Sequence, residues 1–317
     1  MIDVKGDFMK FVFFNNYSLG LVRGGEVVGL HEITDELSFS SPQDLLQQII
    51  ANFEELRPKF QEIIAGAKGT PLAQVNIKAP VPYPGKLLCA VRNYKEDGQI
   101  PPQEQDFFLK SPSSVVGDRS TVVLPSANAT IFHHEAELAV VIGKTASNVK
   151  RKDAMNYVFG YTPFIDVSAR GLNPDGRLSF FLMKSWETFG PMGPFLTTAD
   201  EINDPQNLRI QIKVNDESRQ DFNTSDMAHP IDLMIEFLSS IVTLEPGDVI
   251  ATGTNHQALG ALQDGDEMVL EIEDLGLLTV FVKDDMKRQW ERGIDEETAK
   301  RVRDTATGFN PRNKPKI

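Results

Sequence analysis

The chain has 317 residues, a formal net charge of -13 and a single cysteine. That acidity excludes a general nucleic-acid binder, which needs a basic face, and disfavours docking on an anionic membrane. Cys89, being alone, forms no intrachain disulfide and fits a reducing cytoplasm, where its expected role is that of a small buried apolar residue.

The length accommodates one large domain or two modest ones. No apolar run approaches the ~18 residues of a membrane span, and Met1–Asp7 shows no signal-peptide pattern. A soluble, cytoplasmic protein is therefore expected.

Residues 9–35 read as paired strands, with turns at Asn15-Asn16 and Gly24-Gly25. Ser41-Pro42 then opens a helix, serine as cap and proline in the first turn. Leu45, Leu46, Ile49, Ile50, Phe53, Leu56, Phe60, Ile63 and Ile64 recur at helical spacing, and Pro58 is expected to kink or split that helix. Residues 1–79 thus form a small α+β unit. The stiff run Ala79-Pro80-Val81-Pro82-Tyr83-Pro84-Gly85 marks a boundary to a larger domain over 85–283.

In that larger part, 86–91 reads as a short buried strand. The polar segment 92–106, with Gly98 and Pro101-Pro102, reads as a short helix or mobile lid. Phe132 to Gly143 is a strand rich in β-branched residues, and 157–167 is a second. Leu208, Ile210, Ile212 and Val214 alternate on a half-buried antiparallel strand. Residues 230–241 form a short amphipathic helix, and 268–282 a hairpin around Asp274-Leu275-Gly276. No strand–glycine–helix nucleotide fingerprint and no P-loop occurs. From 284 onward the chain turns basic, with Lys287, Arg288, Arg292, Lys300, Arg301, Arg303, Arg312, Lys314 and Lys316. A helix over 295–303 is expected there, as a solvated tail or as an arm lying on an acidic neighbouring subunit.

The chemistry gathers around three carboxylates. On a strand, alternate side chains share a face, so Glu135 and Glu137 stand side by side in a segment that otherwise reads as buried. Like charges held that close in a low dielectric repel, and a hard divalent cation removes the conflict. Asp166 is a third carboxylate among apolar neighbours. Three oxygen ligands suit six-coordinate Mg²⁺ or Mn²⁺, with Ca²⁺ also admissible, and leave positions for a bidentate 2-oxo acid. Arg170 and Lys184 are candidate partners for substrate anions or an oxyanion, and Thr254 for a substrate carboxylate.

These residues sit in segments that resemble the fumarylacetoacetate hydrolase family. The matching segments are Val91-Arg92-Asn93-Tyr94, Phe108-Leu109-Lys110-Ser111-Pro112, His133 through Lys144, Gly160-Tyr161-Thr162, Asp166-Val167-Ser168-Ala169-Arg170, Lys184-Ser185 through Pro194, and Leu244 through Thr254. They run in family order over about 85–283. The resemblance implies an α+β, mostly β, mixed β-sandwich roll with a small N-terminal domain, usually a homodimer. It implies a divalent metal at Glu135, Glu137 and Asp166, the family's lysine at Lys184 and its outer arginine at Arg170. It implies a hydrolase that cleaves a C–C bond in a small 2-oxo or 1,3-dicarbonyl acid through a metal-stabilised enolate, with Arg92, Tyr94, Thr254 and Lys184 at the substrate. A decarboxylase, tautomerase, isomerase or hydratase is the alternative, and a catalytically degenerate 2-oxo acid binder is a third reading.

Two departures from the family pattern bear on the reaction. Hydrolytic members carry N-Y-x-x-H-x-x-E in the lid, whose His–Glu pair activates water; here Asp97 and Ile100 stand at those two positions. The usual G-T-P-x-G-V-G loop reads Gly253-Thr254-Asn255-His256-Gln257-Ala258-Leu259-Gly260. The base is therefore expected from a lid carboxylate (Asp97, Glu96 or Glu104) or from His256 on the opposite loop. His134 is expected to be structural, His229 to cap or pack a helix, and His31 to lie at the surface.

Overall fold

The computed structural model describes residues 9–172 and 179–307. Strands outweigh helices, and two sheets carry the fold. In the larger, eleven-stranded sheet the order is Thr70–Pro71, Glu26–Gly29, Ser18–Arg23, Lys10–Phe14, Leu196–Thr198, Val158–Ile165, Ala136–Ile142, Val249–Ala251, Leu87–Ala90 and Phe107–Leu109, with Ile77–Lys78 pairing on Lys10–Phe14. The second sheet runs Glu217–Asn223, Arg209–Val214, Glu267–Ile272, Gly276–Lys283 and Thr121–Val123. Most pairs are antiparallel, but Val249–Ala251 with Leu87–Ala90, and Gly276–Lys283 with Thr121–Val123, are parallel.

The strand Ala136–Ile142 lies in the middle of this arrangement and is buried on both faces. Leu138, Val140 and Ile142 pack into a core shared with Ile210, Ile212 and Leu270 of the five-stranded sheet and Met234, Ile235 and Leu238 of the helix Ile231–Ile241. Ala139 and Val141, on the other face, pack with Leu45, Leu46, Ile49 and Phe60 from the N-terminal helices. The period-two alternation thus assigns each half of the strand to a different layer. Each fully buried Leu or Ile contributes about 1.5–3 kcal/mol to holding these layers together.

The N-terminal unit shares a sheet and a core with the part that follows the proline-rich run at 79–85. Lys10–Phe14 hydrogen-bonds to Leu196–Thr198, with Lys10 opposite Thr197. Its core also continues through Leu87, Cys89, Ala139, Val249 and Ala251. The prolines stiffen a connection, but one sheet passes beneath it.

The helical region also breaks elsewhere than expected. Helices Pro42–Ala51 and Phe53–Gly66 are separated at Asn52, and Pro58 lies inside the second. The Asn52 side chain donates to the Gln48 carbonyl at 2.8 Å, competing with the helix's own bonding. Ser41 caps the first helix as expected, accepting from Asp44 N at 3.2 Å.

The described part of the basic C-terminal segment makes contacts with its own chain. Arg288 pairs with Asp284 at 2.9 Å and donates to the carbonyls of Pro125 and Ala127. Arg292 bonds Asp266 at 2.9 Å, and the helix Glu296–Thr307 follows. Arg312, Lys314 and Lys316 lie outside the described residues. Among the described residues, no helix is long and apolar enough to cross a membrane.

Candidate active site

Both chains that carry the three carboxylates change sheets at the same place. Ile131–His133 pairs with Ser168–Arg170 in a two-stranded ribbon, His133 opposite Ser168. Ala136–Ile142 pairs with Val158–Ile165 in the large sheet, Ala136 opposite Ile165. Residues 134–135 and 166–167 span the change, stitched by Asp166 N donating to Glu135 O at 2.9 Å. The continuous strand expected from Phe132 to Gly143 is therefore two strands with a corner between them, and Glu135 sits at that corner. The corner gathers Glu135, Glu137 and Asp166, with one ligand oxygen from each within 4.8 Å of the others. All three residues are buried.

Cations hold two of the three carboxylates. Lys184, at the end of the short helix Phe180–Lys184, donates to Glu135 Oε2 at 2.6 Å and to Asp166 Oδ2 at 2.8 Å. Lys110 donates to Asp166 Oδ1 at 2.8 Å and to the carbonyl of Lys184. Arg170 and Ser168 both donate to Glu135 Oε1, the serine at 2.9 Å. Among the described residues, Glu137 has only the amide of Gly253, at 2.8 Å. Gly253 has φ 87, and a Cβ there would stand 3.2 Å from the Asn93 side chain, so the close backbone approach to Glu137 favours glycine.

The electrostatics follow from this arrangement. Burial pushes the Glu135 carboxyl up, but Lys184, Arg170 and His256 together hold it well below its ordinary value. Burial, then repulsion from Asp166 and Glu135, pushes Glu137 well above its ordinary value. Burial alone would lower Lys184; Asp166 and Glu135 more than offset it, and the ammonium is held charged. Glu137 is thus a buried carboxyl beside two others, with one neutral donor and no ion pair of its own among the described residues. An added divalent cation is the group that relieves it, and an all-oxygen donor set fits Mg²⁺, Mn²⁺ or Ca²⁺.

Above the triad stand the lid and the loop after Gly253. The lid forms no helix; it is a turn-rich segment fixed at several points. Asn93 Nδ2 donates to the carbonyls of His229 and Thr252, both at 3.0 Å. His229 Nε2 bonds the Gln103 carbonyl at 2.7 Å, so that histidine pins the far end of the lid. Between these points Glu96 is buried, 1% exposed, and His256 Nδ1 lies 2.8 Å from its Oε1. The His256 backbone amide donates to both Glu96 oxygens, at 3.0 and 2.8 Å. His256 is also among the groups that act on Glu135.

A histidine–glutamate pair therefore stands beside a triad of metal-binding type. The family model for the fumarylacetoacetate (FAA) hydrolase C-terminal domain matches residues 86–283. A maleylpyruvate hydrolase of Aquipseudomonas alcaligenes is 37% identical over 292 residues, covering 87% of this chain and 99% of that protein.

This chain belongs to the fumarylacetoacetate hydrolase family.

Two further relatives are similar over most of the chain. The maleylpyruvate hydrolase of Sphingobium sp. SYK-6, solved in complex with manganese(II) ion and pyruvate, is 38% identical, covers 87% of this chain and 99% of its own, and superposes with a TM-score of 0.79. A human mitochondrial oxaloacetate tautomerase is 37% identical over 267 residues, covering 80% of this chain and 83% of that protein. The family thus includes both hydrolases and tautomerases among the relatives of this chain.

Against the family pattern, the structure sorts the other expected residues. Asp97 occupies the position of the family's lid histidine, but it is exposed, and its amide is held by Asp226 at 3.1 Å. The pair is completed by Glu96, one residue earlier. Thr254 does not offer a free hydroxyl: it donates to the Ala136 carbonyl at 2.7 Å and accepts from Gln220 Nε2 at 2.8 Å. Tyr94 belongs to the main core, its ring edge-on to Phe222 at 5.0 Å. Arg92 is half-buried at the start of the lid, with φ 52. Lys110 carried no role in the sequence reading beyond its place in a matched segment; a buried lysine 1% exposed between two carboxylate-bearing elements is a product of tertiary packing.

Histidines 133 and 134 divide as neighbours on a strand do. His134 is buried against Gln220, whose Oε1 accepts from its Nδ1–H at 3.1 Å, while its Nε2 accepts from Gly260 N at 3.3 Å. Burial lowers its pKa to about 3. His133 bonds Asp295 Oδ2 through Nε2 at 2.9 Å and accepts from Arg170 Nε at 3.3 Å. Burial lowers His133 to about 4 despite Asp295. Burial likewise pushes the Cys89 thiol up, as suits an inert core residue.

Proposed function

We propose that this protein is a divalent-metal-dependent hydrolase that cleaves the C–C bond between the acyl and pyruvate halves of a small acylpyruvate. The observation that carries the reading is the His256–Glu96 pair beside the Glu135, Glu137 and Asp166 triad. It rebuilds, from two different loops, a water-activating device whose usual lid positions are changed here. The manganese and pyruvate complex of the related maleylpyruvate hydrolase supports both the metal and the pyruvate end of the substrate.

Glu135, Glu137 and Asp166 would hold a divalent cation, which would supply Lewis-acid chemistry to the 2-oxo acid end of the substrate. Lys184, Lys110 and Arg170 orient the carboxylates, and the positive charges of Lys184 and Arg170 lie where an oxyanion would gain from them. Glu96 accepts from His256 Nδ1–H, which leaves Nε2 as the basic nitrogen. In hydrolysis Nε2 takes a proton from water, and the resulting hydroxide attacks the acyl carbonyl carbon. The C–C bond breaks toward the pyruvate half, and the imidazolium returns its proton to the new methyl carbon. Water and acylpyruvate are consumed; pyruvate and a carboxylic acid are formed.

The test is turnover of maleylpyruvate by manganese-loaded protein in H₂¹⁸O. One solvent oxygen in the released acid, and pyruvate as co-product, is the expected result. The tautomerase relatives favour a second reading, in which the same residues move a proton without water. It predicts enol–keto interconversion of oxaloacetate with no oxygen incorporated and no pyruvate released. The reading also includes use of Mg²⁺ as well as Mn²⁺, a cytoplasmic location and a homodimer; sedimentation velocity tests the last.

A further inference from the structure

The lid turn that offers Glu96 to His256 is a strained one. Glu96, Asp97 and Gly98 stand one after another in the left-handed region, at φ 54, 56 and 80. Only the glycine takes that conformation without steric cost, so the turn persists where its surroundings fix it. Gln99 N donates to the Glu96 carbonyl at 3.1 Å and Ile100 N to the Lys95 carbonyl at 2.9 Å, which closes 95–100 into a small unit. Asp226 secures one side of it: its carbonyl accepts from Lys95 N at 3.0 Å and its carboxylate from Asp97 N at 3.1 Å.

A helix secures the other side. Glu296–Thr307 lies beyond the region matched by the family model, and the reaction above makes no use of it. Asp295 N donates to the Leu259 carbonyl at 2.8 Å, and Asp295 Oδ1 accepts from Thr298 N at 3.0 Å. The start of the helix is thereby tied to the end of the loop that carries His256. The approach there is close, since a Cβ at Gly260 would overlap the Gly293 carbonyl oxygen. Further along, Val302 reaches the lid and packs with Ile100 in a small buried cluster. Arg303, the next residue, donates to the side-chain oxygen of Gln257. Successive helical residues point roughly 100° apart, which lets one helix meet both segments. Ile100 stands at the position of the lid glutamate in hydrolytic members of the family, and as an apolar residue it gives the lid a foothold on this helix.

We propose that Val302 and Arg303 are positioning residues for the hydrolysis, holding Glu96 against His256 from outside the site. The proposal rests on the reading given above, in which that pair activates water. Val302 acts through Ile100, in the closed turn that carries Glu96. Arg303 acts through Gln257, the residue after His256. The carboxylate triad sits on other elements, so loosening this hold lowers kcat while KM and manganese affinity stay in place.

The test is a double-mutant cycle read in kcat, with manganese-loaded full-length protein and maleylpyruvate. Misplacing a catalytic group by ~1 Å costs up to about 100-fold, and Val302→Ala is expected to lower kcat about tenfold with KM within about twofold. Val302→Ile keeps the apolar contact and is expected to stay within about twofold of wild type. In a Glu96→Gln background the pair is already broken, and Val302→Ala should there cost less than about twofold. A general loss of stability would instead lower activity equally in both backgrounds. Manganese titration by calorimetry, expected to be unchanged in Val302→Ala, shows that the triad remains assembled. Arg303→Met runs through the same cycle, with a loss of about fivefold expected, and decides the matter should Val302→Ala lose manganese binding. Losses within twofold in both Val302→Ala and Arg303→Met overturn the proposal, as do losses that recur in full with Glu96→Gln. An undamaged Glu96→Gln, or wild-type protein that does not hydrolyse maleylpyruvate, overturns the reading of the pair and the proposal with it. A damaged Glu96→Gln beside undamaged helix variants overturns the positioning role alone.

Discussion

Replacing Glu96 by glutamine changes one charge and almost no volume, and it separates Glu96 from Asp97 as candidates for the catalytic pair. The Glu96 carboxylate accepts from His256 N and from His256 Nδ1, with contacts of 2.8–3.0 Å, in a position 1% exposed to solvent. Glutamine keeps one acceptor oxygen, and its NH₂ must face one of the two donors. Losing a bond and leaving a buried donor unmet costs about 1–3 kcal/mol, felt chiefly by the loop that carries His256. The larger effect is on turnover. The imidazole loses the anion that fixes Nδ1–H and stabilises the imidazolium, and general-base catalysis is worth roughly 10²–10⁴-fold. We expect kcat to fall by about 10²–10³ while KM changes only a few-fold. Single-turnover stopped-flow with manganese-loaded protein and maleylpyruvate measures this directly. Asp97→Asn, at an exposed neighbour, is expected to stay within about threefold of wild type. The reasoning fails if Glu96→Gln keeps activity within threefold, or if Asp97→Asn is the more damaged of the two.

Other expectations follow from the same geometry. Glu137→Gln replaces a carboxyl that burial and two neighbouring carboxylates already push toward its neutral form, so the metal-free protein should keep its stability within about 1 kcal/mol, whereas manganese affinity should drop by more than about 100-fold, measured by calorimetry. Lys184→Met leaves Glu135 and Asp166 buried with less compensation; metal-free protein should lose about 3–5 kcal/mol by urea unfolding, and added Mn²⁺ should restore a larger share of stability than it adds to wild type. His134 has a folded-state pKa of about 3 against an unfolded value of 6.5, so the folded chain binds fewer protons between those limits and stability falls as pH drops below 6.5. Between pH 7 and pH 5 wild type should lose about 2 kcal/mol more than His134→Gln. Equal losses in the two proteins would show that His134 is not held neutral.

The chemistry was legible in the chain because strand periodicity and residue type suffice to pair Glu135 with Glu137, and because a carboxylate such as Asp166 among apolar residues needs a partner. The alternation of the 136–142 strand likewise marked a core element. The helix start at Ser41-Pro42 and the C-terminal helix were readable from local capping and charge, which depend on neighbours a few residues away. The carboxylate that meets His256 was legible only as a short set of alternatives. Glu96 and Asp97 are adjacent acids with similar φ, 54 and 56, and no local rule tells which one turns inward. That is decided by Asp226, which takes the Asp97 amide, and by the loop carrying His256, which meets Glu96 from 160 residues away.

The division between sequence and tertiary structure follows the range of the forces involved. The sequence by itself determined the strand-rich class, the carboxylate triad and the absence of a disulfide, because these rest on periodicity, residue chemistry and composition. Tertiary structure alone decided that the N-terminal strands join the main sheet, that Lys110 enters the site, that Thr254 bonds within the scaffold and that the helix Glu296–Thr307 lies against Ile100 of the lid. Each of these is a pairing between distant segments, such as Lys10 with Thr197 or Asp295 with His133, and such pairings are selected by the whole packed chain rather than by any stretch of it.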